Sequence, residues 1–270
     1  MATLAETIVA LEGIAPLRLA ADWDSVGLLV GSRRATIERV MTCLTLTDRV
    51  AREAVRERAD MIVTHHPLPF QPVGRITDDD PTGRVLLEVI HAGIAVWSPH
   101  TAWDSAAGGI NDQLAALLGL EHVAPIEPDE LQHLTGFGRV GTAPTGWTVA
   151  AAARHLVARL RAADATVAVA GAHVVGDQAR PAGRVGIVCG SGGDAVAAAK
   201  RVGCTTLVTG ELKLHGAVAA LAADMAVIAV GHHASERFSL GVLAARLAEA
   251  VPGLACWASR DEADPLAWVS

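Results

Sequence analysis

The chain has 270 residues, 51% hydrophobic and 19% charged, with 22 Lys plus Arg against 29 Asp plus Glu and a formal net charge of −7. That apolar fraction excludes intrinsic disorder, and a chain this long can bury about 75% of its unfolded surface without disulfide staples. The acidic balance, with Lys200 and Lys213 as the only lysines, argues against a nucleic-acid backbone binder, whose affinity comes from clustered basic side chains.

The N-terminal MATLAETIVALEGIAP carries no early Lys or Arg and mixes apolar residues with Glu6 and Glu12. It reads as an amphipathic helix rather than a signal peptide. No stretch of 18 residues is both apolar and free of charges or breakers, so no membrane span is expected. The expected location is cytoplasmic. MTCLTL then reads as a buried strand, followed by a helix from Asp48 through Arg58 and the strand DMIVTHH. A helix over Gly83–His91, the strand IAVWSPH and a helix over Gly109–Leu118 complete a β-α-β-α-β-α order. The segment 126–181 differs: FGRVGTA and ATVAVAG read as strands. Trp147–Arg161 reads as a helix with Thr145 as its N-cap, and GDQARPAG as a turn-rich connector.

From Arg184 the order repeats. RVGIVCG, TTLVTG and MAVIAVGHH are strands; DAVAAAKRVG, LKLHGAVAALAA and Ala234–Ala250 are helices. LACWAS is a final strand. Short Val- and Ile-rich runs suit strands covered on both faces, and strand–helix alternation with short loops implies mostly parallel sheets. The expected fold is α/β: two intertwined lobes built from a duplicated β-α-β-α-β-α unit, with a site between them. Cys43, Cys189, Cys204 and Cys256 form no Cys-x-x-Cys pair and read as small core side chains in a reducing compartment.

The histidines concentrate at strand ends. His65 and His66 close DMIVT; His100 and Asp104 follow IAVWS; His232 and His233 close MAVIAVG, with Glu236 four residues after His232. The carboxyl edge of an open α/β sheet is where ligands bind. A spacing of four puts His100 and Asp104, or His232 and Glu236, on one face of a helical turn. Imidazole and carboxylate together suit Zn, Mn, Fe, Co or Ni. Adjacent side chains such as His65 and His66 diverge, so they suit two ions, one each, with a carboxylate bridging. Glu211 and His215 are candidates for the vicinity. His91, His122, His133, His155 and His173 lie on helices or loops without acidic companions. Trp97 and Trp103 read as core or interface residues.

At these residues the sequence resembles the dinuclear-metal hexameric proteins known as type 2 GTP cyclohydrolase I, or NGG-interacting-factor-like proteins. The matching stretches are ADWDSVGLLVG (21–31), DMIVTHHPLPF (60–70), SPHTAWDSAAGGINDQLA (98–115), RVGIVCGSGGD (184–194), VTGELKLH (208–215) and AVGHHASERF (229–238). The resemblance implies one family domain over about 4–260, in its short form without an inserted domain. Its lobes would be 1–125 plus 235–270, and 126–234. It implies two divalent metal ions held by His65, His66, Asp104, His232 and a bridging Glu236. His100 would be a catalytic acid or base beside them. It implies a toroidal homohexamer and a nucleotide or other small-molecule substrate. The implied reaction opens the imidazole ring of the guanine in GTP and releases formate. Two other readings of the same ligands are a metallohydrolase acting on a phosphoester or amide, and a non-catalytic ring that binds partner proteins. Trp103 stands where the family carries a smaller residue, which bears on pocket size. Asp22 and Asp24 match a family signature and suit a loop-holding role. The helix N-terminus at Gly192-Gly193 is a candidate phosphate site.

Overall fold

The apolar runs form strands and the amphipathic segments between them form helices; the computed structural model describes residues 2–31, 33 and 36–267. In chain order these are α1 (Leu4–Ile14), β1 (Gly27–Val30), β2 (Arg39–Thr45), α2 (Asp48–Arg56), β3 (Met61–His66), α3 (Pro81–His91), β4 (Ala95–Ser98) and α4 (Thr101–Ser105). There follow α5 (Ile110–Leu117), β5 (Glu121–Ala124), β6 (Glu127–Pro128), β7 (Gly136–Phe137), β8 (Arg139–Thr142), α6 (Val149–Ala163) and β9 (His173–Val175). The last are β10 (Arg184–Ser191), α7 (Val196–Arg201), β11 (Thr206–Glu211), α8 (Leu214–Ala222), β12 (Ala226–Ala229), α9 (His232–Glu236), α10 (Leu240–Ala250) and β13 (Ala255–Ala258). Two units result: Met1–Trp103 with Ser239–Glu262, and Asp104–Phe238 with Ala263–Ser270. Each is assembled from two stretches of chain.

The first unit holds a five-stranded sheet in the order β1-β4-β3-β2-β13. Its pairings are parallel except β1 with β4. Met41 and Cys43 of β2 join Val50, Leu86 and Val89 in the core beneath α2 and α3. Thr42, between them in the pleat, faces the other way and donates to the Leu240 carbonyl of α10 at 2.8 Å. The sheet is therefore covered on both faces, which is why its strands are nearly continuous apolar runs. Buried Glu262 accepts from the backbone N–H groups of Leu44 and Thr45 at 2.9 and 2.7 Å. It thereby holds the carboxyl end of β2.

The second unit repeats the order. Its sheet is β5-β8-β10-β11-β12-β9, plus the small β6–β7 pair. Only β10, β11 and β12 run parallel; β5, β8 and β9 join antiparallel. The expectation of a mostly parallel sheet holds for the first unit and is corrected here to a parallel centre with antiparallel flanks. Antiparallel neighbours need no helical crossover over a face. The two repeats still match in detail, because β4 and β12, the third strand of each, both carry an antiparallel partner.

The units divide at 103/104 and 238/239, and β5 falls in the second because it pairs with β8 of that sheet. Other boundaries differ from the sequence reading. Thr148, not Thr145, caps α6, its hydroxyl accepting the Ala151 N–H. ATVAVAG forms no strand; the strand lies beyond it at His173–Val175. Ala234–Ala250 is not one helix but α9, a 3₁₀ turn at Arg237–Ser239, and α10. His122 and His173 lie on strands.

Arg139 of β8 is fully buried and saturated with acceptors. Its guanidinium pairs with Asp112 and donates to the carbonyls of Gly136 and Gly138 at 2.9 and 2.7 Å, and of Ser105 and Ala106 at 3.3 and 3.1 Å. One side chain thus ties the turn following Asp104 to the strand region 136–139. Removing one member of a buried charge network leaves the rest unpaired and costs about 3–5 kcal/mol. Arg139→Met is expected to lower stability by about that much in chemical denaturation. Arg201→Ala, which breaks the exposed pair with Glu127, should cost less than about 1 kcal/mol.

Candidate metal centre

In the first unit three imidazoles converge at the carboxyl edge of the sheet. His65 and His66 end β3, and His100 follows β4. Their ligand atoms all lie within 4.8 Å of one another. The ring centroids are 5.1 Å apart for His65–His66, 5.2 Å for His65–His100 and 5.6 Å for His66–His100. His65 is wholly buried, and its carbonyl accepts the Ser98 hydroxyl at 2.7 Å. His66 Nδ1 meets Thr45 Oγ1 at 2.8 Å, which leaves Nε2 for the cluster.

His100 adopts the left-handed backbone region, φ 31°, rare for a residue with a Cβ and a mark of constraint. The constraint is Asp24. Its carboxylate meets His100 Nδ1 at 2.7 Å and accepts from the Thr101 N–H at 3.1 Å and from the Thr101 hydroxyl. Burial pushes the Asp24 carboxyl up, but the bonds from His100 and Thr101 together hold it below the ordinary carboxylate range. Asp24 therefore holds His100 directly, beyond the loop-local bonding expected of it.

In the second unit the third strand is again followed by histidine and, four residues on, by an acid. His232 opens α9, and its Nε2 lies 3.2 Å from Oε2 of buried Glu236. Its Nδ1 meets Glu211 Oε1 at 3.1 Å. Burial pulls His232 down, but the hydrogen bonds and charges of Glu236 and Glu211 outweigh it and raise the imidazole to about 9. Asp104 lies in α4, where its carbonyl accepts from the Asn111 amide at 3.0 Å. The Asn111 oxygen in turn accepts the Cys189 N–H at 2.9 Å. Burial, the charges of Asp104 and Glu236 and a hydrogen bond to Asp104 push the Cys189 thiol far up. Cys189 is thus a neutral thiol beside two acids rather than a plain core residue.

Glycines make room for this second cluster. Gly190 has φ 59°, and a Cβ there would stand 2.2 Å from Glu236 Oε1 and 3.3 Å from His232 Nε2. A Cβ on Gly210 would meet the Gly190 carbonyl and the Ser235 hydroxyl, each at 2.6 Å. Ser235 Oγ accepts the Gly190 N–H at 2.9 Å and donates to the His232 carbonyl at 2.8 Å, which fixes α9 against β10.

The structure thus groups His65, His66 and His100 in one unit, and His232 with Glu236 and Glu211 in the other. His233 faces Asp264 instead, at 3.9 Å. His215 and Gly193 line a separate cleft of about 570 Å³ with Lys200 and Arg201. Trp103 is buried inside the first unit, its Nε1 donating to Ser239 Oγ at 2.9 Å under the Arg246 guanidinium, so it shapes core rather than pocket. The roles of Asp24, Cys189, Gly190, Gly210 and Ser235 were missed; the GSGG and VTGE stretches were visible, but not the contacts that require them.

Imidazoles within reach of one another, and a buried carboxylate against imidazole in a glycine-walled space, are a donor set that fits divalent transition ions. Fold and clusters together define a mixed α/β protein with two strand-edge groups of candidate metal ligands. The Duf34/NIF3 (NGG1p interacting factor 3) family profile matches residues 2–265, and the chain belongs to that family. It is 31% identical over 233 residues to a GTP cyclohydrolase 1 type 2 homolog of Clostridium perfringens, covering 86% of each chain. It is 32% identical over 235 residues to NIF3-like protein 1 of Drosophila melanogaster, covering 87% of this chain and 78% of that one. A Bacillus cereus protein related to NIF3 shares the fold with a TM-score of 0.89 over 98% of each chain, at 22% identity. Among the described residues no helix is long and apolar enough to cross a membrane.

Two outcomes follow for the second cluster. Gly190→Ala should weaken Zn²⁺ binding at least about tenfold in a competitive titration, with circular dichroism unchanged, because its methyl displaces the Glu236 carboxylate. Metal must also displace the proton on His232. Apparent Zn²⁺ affinity should therefore rise about tenfold per pH unit until pH reaches about 9. The metal-free protein shows the opposite sign. A histidine raised from 6.5 to about 9 stabilises the fold fully below 6.5, and that contribution disappears as pH rises through about 9. Thermal melts with chelator across this range check it.

Proposed function

We propose that the protein is a cytoplasmic, dinuclear-metal-dependent hydrolase that opens the imidazole ring of the guanine in GTP and releases formate. The observation that carries the reading is the convergence of His65, His66 and His100 within 4.8 Å. The relatives named GTP cyclohydrolase 1 type 2 homolog supply the reaction class. His65, His66, Asp104, His232 and Glu236 would hold two divalent ions of Zn, Mn, Fe, Co or Ni, with Glu236 as the bridging carboxylate. When bound, such ions supply Lewis acidity that activates water at neutral pH.

The chain's own residues do the rest. Asp24 accepts the Nδ1 proton of His100, which fixes the tautomer and leaves Nε2 to take up and return a proton. Glu211 orients His232 through Nδ1 in the same way. Releasing formate breaks both C–N bonds of the imidazole carbon and consumes two waters. Each departing nitrogen needs a proton, which His100 delivers.

The same reading includes a toroidal homohexamer. Leu214, Val218 and Leu221 form an exposed apolar stripe along α8, and such a stripe suits a subunit contact. Formate release from GTP by metal-reconstituted protein tests the catalytic part, with Glu236→Ala alongside. Wild-type release that disappears with at least one metal ion in Glu236→Ala is the expected result. An active variant retaining both ions would remove the bridging role. A metal-loaded wild type that frees phosphate rather than formate would be a phosphoesterase. One that turns over nothing would be a metal-binding ring.

A further inference from the structure

Large aromatic side chains are costly to leave in water unless something covers them. Trp23 is 64% exposed and Phe70 48% exposed. Both rings flank His100, with centroids at 6.0 and 6.2 Å, edge-on at 78° and 79°. Trp23 is carried on a restrained turn. Trp23 occupies the third position of the turn Ala21–Asp24, closed by the Asp24 N–H to the Ala21 carbonyl at 2.9 Å. Both ends of that turn are pinned. The Ala21 N–H donates to the Thr101 hydroxyl at 2.9 Å, and the Asp24 carboxylate holds His100 and Thr101. The contacts that orient His100 therefore also fix Trp23. A preorganised aromatic face loses little entropy when a flat ligand covers it.

From this geometry we infer that Trp23 is a substrate-binding platform on which a planar heteroaromatic base stacks beside His100, with Phe70 as its buttress. The Trp23–Phe70 centroid distance of 6.3 Å at 52° rules out a base sandwiched between the rings. Two stacked contacts at carbon–carbon separations of about 3.5–4.0 Å would need about 7–8 Å. The base lies over one face of Trp23. Stacking is tolerant of base identity, so Trp23 supplies affinity for a flat ring and not the choice of guanine. The inference rests on the nucleotide reading of the site and extends it to named residues.

The test is calorimetric titration of GTP and of inorganic triphosphate, which lacks the base, into the metal-loaded protein. Trp23→Ala should weaken GTP binding about tenfold or more and leave triphosphate binding and metal content unchanged. Trp23→Phe, which keeps an aromatic face, should recover most of the loss. Phe70→Ala should have a smaller effect of the same sign. Equal GTP affinity in Trp23→Ala and wild type overturns the platform. So does a parallel loss of triphosphate binding, or a changed oligomeric mass, which would make the ring an assembly contact. The failures separate. Trp23-dependent GTP binding without formate release leaves the platform standing and removes the cyclohydrolase. Formate release with an unchanged KM in Trp23→Ala does the reverse.

Discussion

A strand buried on both faces has one place to carry polar chemistry, its end. In β3 every residue from Met61 to His65 is buried, and only His66 begins to emerge. Each buried apolar side chain contributes roughly 1.5–3 kcal/mol, so an imidazole in mid-strand would exchange that gain for an unsatisfied polar group. The parallel arrangement then brings the strand ends to one edge. In the first unit this gathers His65, His66 and His100; in the second it gathers Glu211 and His232. The position of the chemistry thus follows from the covering of the sheets.

Holding those side chains requires a second layer of contacts, and the two units solve the problem alike. Asp24 fixes His100 and Glu211 fixes His232, each through Nδ1. A carboxylate on one imidazole nitrogen settles which nitrogen remains available and raises its basicity. The settings differ. Asp24 is sequestered and itself held by Thr101, whereas Glu211 is exposed. The first pair is consequently the more rigid, and the exposed Glu211 contact is more readily screened.

The strand-end histidines and the His-x-x-x-acid spacings were legible because burial pattern and helical periodicity are local properties. The duplicated β-α-β-α-β-α order was legible for the same reason. What escaped depends on long-range contact. Asp24 meets His100 across 76 residues, so its part in orienting that ring leaves no local trace. Gly190 looks like an ordinary loop glycine until Glu236 is placed against it. Cys189 sits in an apolar strand and reads as core; only the proximity of Asp104 and Glu236 distinguishes it. The antiparallel flanks of the second sheet were missed because strand direction is not encoded in composition. Thr145 and Thr148 are both credible caps three residues apart, and tertiary packing selects between them.

The equivalent positions of the two repeats show how a shared scaffold diverges in charge. The second strand ends in His65-His66 in the first repeat and in Gly210-Glu211 in the second. The substitution at 210 is dictated by space, since a Cβ there would collide with the Gly190 carbonyl and the Ser235 hydroxyl. The third strand is followed in both by histidine and an acid four residues later, but the partners differ. His100 has two imidazoles beside it, whereas His232 lies between two carboxylates that raise it to about 9. The first cluster therefore offers imidazole nitrogens, and the second offers negative charge that a proton occupies in the absence of a cation. A divalent ion replaces that proton while satisfying the carboxylates. Cation occupancy of the second cluster accordingly depends on pH, because the ion and the His232 proton compete for the same place.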